Sequence, residues 1–319
     1  MFRHILVPLD GSQLAATAVP YALTLARASD ARISLLAVVA SPPERAGLPR
    51  AAAQEGDERH VTESTAYLES VAAAMRADGR TVTTVVRHGN PASEILAASE
   101  DEGCSLIVIS THGRTGLERL RIGSVAQHVL RHAIIPTLVV RPGDDAATEG
   151  AATIAAITVA LDGSGLAEEA LPIATRIATA LSIPLTLLRI IPSLTSLAST
   201  GWGAGYAAYY PVTDEDQGVR EYLEAVATRL RAPGLDVQTR WEHSVTSRAA
   251  EMIAAALAKQ PAGIAVMASH GRGGVLRWAL GSTAEEVLDQ SPCPILIVRA
   301  GTTAAGSEDT HALVGRDAG

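Results

Sequence analysis

Two stretches of the chain carry the same polar signature. "STHGRTGLERLRIGS" (residues 110–124) and "ASHGRGGVLRWALGS" (residues 268–282) both place His-Gly-Arg near the start and Gly-Ser at the end, at identical spacing. Glycines such as Gly113, Gly116, Gly271 and Gly274 let a backbone pass close to a ligand with no Cβ in the way. A Gly-Ser step at a helix start presents unpaired main-chain N–H groups, which favours an anion. Arg114 and Arg272 follow the loop glycine, as forked donors to a phosphate or as solvated surface cations. The hydroxyls of Ser124 and Ser282 either cap the helix or bind a phosphate oxygen. His112 and His270 stand beside these loops, as structural turn residues or as phosphate neighbours.

A second repeated feature completes the pattern. "LVPLDGS" ends in Asp10 and "TVALDGS" in Asp162, each followed by Gly-Ser and a helical stretch. A carboxylate at the carboxyl end of a strand accepts hydrogen bonds from ribose hydroxyls or a base, or else caps the next helix.

The elements that position these residues are legible as alternation. Short apolar runs near 3–9, 32–39, 81–87, 104–110 and 136–141 alternate with longer amphipathic stretches, predicting βαβ units and a parallel sheet. A helix over 13–29 follows from the spacing of Leu14, Ala18, Tyr21, Ala22 and Leu25. "NPASE" (90–94) starts another, with an Asn cap and Pro in the first turn. Strands near 154–161, 184–191, 235–242, 263–269 and 294–299 repeat the series. Landmarks from 110 to 141 recur 158 residues later, since 268 − 110 and 299 − 141 agree, whereas Asp10 and Asp162 are 152 apart. The halves therefore read as duplicates differing in loops. One such difference, the Gly- and Tyr-rich stretch 193–216, reads as a lid or as an exposed loop with aromatic residues able to stack or pack.

Composition narrows the function. Apolar residues form 47% of 319 positions and are interrupted by charge, as in soluble two-domain chains. No apolar run reaches the roughly 18 residues of a membrane span, and the first residues lack a secretory layout, which predicts a cytoplasmic protein away from membranes. A net charge of −8 argues against general nucleic-acid binding. Cys104 and Cys293 read as core thiols with neither disulfide nor metal-ligand spacing. His88 and His243 each follow a third strand with no metal-ligand spacing around them, so no metal site is expected. The single lysine, Lys259, lies far from both loops, and neither GxxxxGK[ST] nor GxGxxG occurs, which disfavours a Walker loop and a dehydrogenase.

Taken together, a strand-end Asp and a loop of Gly, nine residues and Gly-Ser resemble the universal stress protein family, here twice in tandem. The nucleotide-binding branch of that family has Gly, two residues, Gly, nine residues, Gly and Ser or Thr. Its second and third glycines fall on Gly113 and Gly123, and on Gly271 and Gly281; Ser110 and Ala268 replace the first. The resemblance implies two tandem α/β domains of Rossmann-like, adenine nucleotide alpha hydrolase-like type. Each would be a five-stranded parallel sheet of order 3-2-1-4-5 with helices on both faces, at 1–142 and 153–300. The small, polar stretch 301–319 reads from its composition as a flexible tail.

The same resemblance implies ATP, or ADP or AMP, with Mg²⁺ as a possible companion ion. Adenine and ribose would lie near Pro8, Asp10 and Val38 in one half and Ala160, Asp162 and Ile190 in the other. Phosphates would meet Gly113, Gly123 and Ser124, or Gly271, Gly281 and Ser282, and the neighbouring Arg114, Gly116, Val125, Arg272, Gly274 and Thr283 are further candidates for these sites. It further implies pairing of the domains through their last strands, PTLVVR and PILIVR, and a homodimer of chains. Three functional classes follow: a nucleotide-dependent regulator with slow or no hydrolysis, a weak ATPase or nucleotidyl-transfer enzyme, and a scaffold without nucleotide. A compact acid/base set beside the loops, beyond Asp10, Asp162 and the histidines, is not visible in the sequence.

Overall fold

A computed structural model of the chain describes residues 1–39, 50–111, 122–141, 150–192, 212–231, 234–244, 248–260, 262–269 and 280–299. The first series contains β1 (His4–Pro8), α1 (Gln13–Ala16), α2 (Ala18–Ser29), β2 (Arg32–Val39), α3 (Arg50–Ala77) and β3 (Val82–His88). It continues with α4 (Pro91–Asp101), β4 (Leu106–Ser110), α5 (Ser124–His132) and β5 (Thr137–Val140). The second repeats it: β6 (Ala156–Ala160), α6 (Gly165–Glu168), α7 (Leu171–Leu181), β7 (Leu185–Pro192) and α8 (Val212–Leu230). After these come β8 (Val237–Ser244), α9 (Ala249–Ala258), β9 (Gly263–Ala268), α10 (Ser282–Gln290) and β10 (Ile295–Val298).

All ten expected strands form, and they join in one sheet of order β3-β2-β1-β4-β5-β10-β9-β6-β7-β8. Within each half every pairing is parallel and the order is 3-2-1-4-5. Strands such as β1 and β4 are buried along their whole length, and apolar clusters cover both faces of the sheet, as parallel strands require.

The helix expected over 13–29 is broken at Thr17. Pro20 explains the break: it has no N–H for the carbonyl of Ala16, and its ring crowds that same carbonyl. Pro172 does likewise in the second half, where α6 ends at Glu168. The helix expected at "NPASE" forms as read, with Asn90 Oδ1 accepting from Ala92 N at 3.1 Å and Ser93 N at 3.2 Å.

The halves meet where β5 and β10 pair antiparallel, with Leu138 opposite Leu296. Both leucines are buried. Arginines reinforce this seam reciprocally. Arg141 donates to the main-chain oxygens of Ser291 (2.9 Å) and Asp289 (2.5 Å) at the end of α10. Arg299 donates to those of Ala133 (2.8 Å) and Arg131 at the end of α5. Each arginine thus supplies donors, and a positive charge, to the unpaired carbonyls of the other half's helix.

Candidate functional site

The Asp-Gly-Ser turns fold alike in the two halves, with one more bond in the second. Asp10 Oδ1 accepts from Ser12 N at 3.0 Å, and Ser12 Oγ accepts from Ala15 N at 3.0 Å. Asp162 Oδ1 accepts from Ser164 N at 2.9 Å and Ser164 Oγ at 2.6 Å, while Ala167 N donates to Ser164 Oγ at 3.1 Å. Gly11 and Gly163 between them take φ of +83° and +81°, a conformation that glycine enters without a Cβ penalty. The helix cap is therefore the serine, and the aspartate braces it. One carboxylate oxygen is engaged in the turn, at the carboxyl end of β1 or β6.

The Gly-Ser steps also correct a reading of the sequence. The N-cap residues are Gly123 and Gly281, with no side-chain cap, and Ser124 and Ser282 are the first residues of their helices. Their hydroxyls do not close the helix ends. Gly123 N donates to Thr111 O at 2.6 Å and Gly281 N to Ser269 O at 2.7 Å, holding each helix start against the strand that precedes it. Both helices are nine residues long and open toward the end of the sheet where Asp10 and Asp162 lie.

In the first half these parts surround a cavity of about 240 Å³. Pro8, Asp10, Val38, Gly123, Ser124 and Val125, all singled out in the sequence, line it together. Leu36, Ile95 and Ile109 add apolar wall, and Ser110 and Thr111 add polar groups. Pro91 and Ile95 were not foreseen as site residues. They arrive because the capped start of α4 lies beside the carboxyl ends of β2 and β3, and "NPASE" was the only local signal for it.

The second half repeats the frame residue by residue. Ala160 pairs with Leu188 on β7 as Pro8 pairs with Leu36, and Ile190 faces Glu242 on β8 as Val38 faces Arg87. Asp162 stands in the turn after β6, and Gly281, Ser282 and Thr283 stand at the start of α10. Gly113, Arg114, Gly116, His112, Gly271, Arg272, Gly274 and His270 lie outside the described residues, as does 193–211 of the stretch read as a lid or an exposed loop.

A tyrosine from the third helix of each half approaches the same end, and the sequence offered no sign of either. The Tyr67 hydroxyl is buried without a hydrogen-bond partner; burial raises its pKa, and the charge of Asp10 adds to the rise. Tyr222 instead donates to Glu168 Oε1 at 3.1 Å beneath the Arg189 guanidinium, 5.5 Å from the ring centroid. Burial raises its pKa first, with Glu168 next.

Parallel strands in this order, with a largely apolar cavity at the carboxyl ends of the first half's strands, define an open α/β fold, a class in which the reversal of strand order is the usual place for a ligand. The profile of the universal stress protein family matches residues 1–141 and again 154–299, so the chain belongs to that family, as a tandem member. A universal stress protein of Mycolicibacterium smegmatis (strain ATCC 700084 / mc(2)155) is 28% identical over 306 residues, covering 92% of this chain and 96% of its own. Universal stress protein MJ0531 of Methanocaldococcus jannaschii is 34% identical over 142 residues, covering 44% of this chain and 83% of its own. Among solved structures, a universal stress protein from Archaeoglobus fulgidus DSM 4304 superposes with a TM-score of 0.67 at 22% identity, over 93% of this chain and 96% of that one. Among the described residues, no helix is long and apolar enough to cross a membrane.

Proposed function

We propose that the chain binds ATP or a related adenine nucleotide at the carboxyl end of each half-sheet and acts as a nucleotide-dependent regulator with slow or no hydrolysis. The observation that carries this reading is the first-half cavity, where apolar walls from Leu36, Val38, Ile95 and Ile109 adjoin the Asp10 carboxylate and an uncapped helix start. Apolar walls suit a purine, a carboxylate suits ribose hydroxyls, and free main-chain N–H groups suit phosphate. At about 240 Å³ the cavity suits the nucleoside part, with phosphates running past Gly123 toward the glycine-rich loop. Asp10 and Asp162 would hold the sugar, and the first turns of α5 and α10 the phosphates. Phosphate binding there uses main-chain donors and needs no lysine.

The test is thermal unfolding with and without Mg·ATP. A ligand at a hundred times its Kd stabilises the folded state by about 2.7 kcal/mol and raises the melting temperature accordingly. Gly123 and Gly281 have φ of −61° and −63°, which valine also adopts, so Gly123→Val with Gly281→Val obstructs both sites without straining the backbone. The double variant should lose the rise, and the single variants should apportion it between the halves. An unchanged rise in the double variant refutes the assignment, and sustained turnover far above a heat-killed control favours an enzyme instead.

A further inference from the structure

The opposite end of the first half-sheet holds a second cavity, of about 540 Å³, at the amino ends of β1, β2 and β3. Arg3, Arg32 and Arg80 all line it, with Asp30 as the facing carboxylate. Asp30 is exposed and pairs with Arg80 at 3.3 Å. Arg32 donates to the main-chain oxygen of Glu102 at 3.1 Å, and among the described residues neither Arg3 nor Arg32 forms an ion pair. The Nε of Arg80 is buried with no acceptor among the described residues, which leaves a charged donor desolvated and unsatisfied there.

The duplicate half shows that the fold does not need these charges. Strand register places Ala155 where Arg3 stands, Pro184 where Arg32 stands and Leu235 where Arg80 stands. Three cations have thus been gathered on one pole of one copy, in a chain whose net charge is −8.

We propose that this pole of the first half is a binding site for a diphosphate group, free or carried by a nucleoside, held by the guanidinium forks of Arg3, Arg32 and Arg80. Guanidinium groups match pairs of anionic oxygens in geometry, and three around one cavity suit a ligand with more than one phosphate. A divalent metal is the rival occupant, because His4, Glu102 and Cys104 bring ligand atoms within 4.8 Å of one another beside the cavity. Several observations oppose it. The Cys104 thiol is pushed up to about 12 by burial and so keeps its proton. His4 is already bonded through Nδ1 to Glu102 O at 3.0 Å and through Nε2 to Ser34 Oγ at 2.7 Å. The three arginines repel a dication as they attract an anion.

Isothermal titration of the full chain with pyrophosphate tests the proposal, since pyrophosphate has no base to fill the nucleoside cavity. Saturable binding is expected, and it should weaken as salt is added. It should weaken about tenfold or more in Arg3→Ala with Arg32→Ala, whose side chains are exposed. Thr81→Glu should do the same by placing a carboxylate at the exposed rim of the cavity. Gly123→Val with Gly281→Val should leave pyrophosphate binding intact, which separates this site from the nucleotide sites. ADP titrated into that double variant tells whether a nucleoside diphosphate is accepted as well as the free ion. No saturation at millimolar pyrophosphate overturns the proposal, as does saturation unaffected by both arginine and Thr81 variants. Tight Zn²⁺ binding that Cys104→Ser abolishes, with no pyrophosphate binding, assigns the pole to a metal.

Discussion

The two halves are alike at the carboxyl ends of their strands and unlike at the amino ends. At the carboxyl ends, Asp10-Gly11-Ser12 and Asp162-Gly163-Ser164 fold into the same braced turn, and Gly123 and Gly281 begin equivalent helices. At the amino ends, the first half has a buried ionisable group: His4, with Ser34 between its Nε2 and Glu102 Oε2 at 2.7 Å and 2.5 Å. Register puts Thr186 and Gln260 where Ser34 and Glu102 stand, and Ala156 at the place of His4. There Thr158, Gln260 and Thr186 satisfy one another as neutral groups. One scaffold therefore tolerates two polar solutions, provided every buried donor and acceptor finds a partner. Sequence divergence at the amino pole has changed electrostatics without changing topology.

The largest test of this likeness is at the seam. Leu138→Ala and Leu296→Ala each remove a fully buried side chain from paired positions, and each should cost about 2–5 kcal/mol in denaturant unfolding. If the halves are equivalent across β5 and β10, the two costs agree; a lopsided pair breaks the symmetry. A smaller effect separates the tyrosines. Tyr222→Phe loses the bond to Glu168 and should cost about 1 kcal/mol, whereas Tyr67→Phe deletes a hydroxyl with no partner and should be neutral or stabilising.

The smallest effect is a change in pH slope. Burial lowers the pKa of His4, Arg32 adds to the lowering, and the Glu102 main-chain oxygen opposes it. The unfolded chain then binds the proton more readily than the native state does, so this residue makes stability fall as pH drops through 6.5. His4→Gln should flatten the slope between neutral pH and pH 5 by less than one proton, measured by urea unfolding at several pH values. An unaltered slope would mean that His4 keeps the same proton affinity in both states.

Local chemistry made much of this protein readable from its residues. Apolar runs marked the inner strands because a strand buried on both faces must be largely apolar, whereas the half-buried edge strands β3 and β8 were marked by their place in the alternation. Asn90-Pro91 marked a helix start because a cap needs only its neighbours, and Asp-Gly-Ser after β1 and β6 marked a strand end followed by a helix for the same reason. Even the break at Thr17 was latent in Pro20, four residues beyond Ala16, although helical periodicity concealed it. The repeated Asp and Gly-Ser spacing pointed to one site because the reversal of strand order between β1 and β4 brings those two strand ends together.

What the chain order could not decide is which distant groups share a surface. His4, Ser34 and Glu102 gather only when β1, β2 and the end of α4 align. Tyr67 reaches the neighbourhood of Asp10 only through the packing of α3, and Arg141 and Arg299 exchange helix ends only once β5 and β10 have paired. Residue types and spacing determined the elements and the turns, since those depend on neighbours a few positions away. Tertiary structure decided the seam, the walls of the cavity and the lowered proton affinity of His4, since each depends on partners dozens to more than a hundred residues distant.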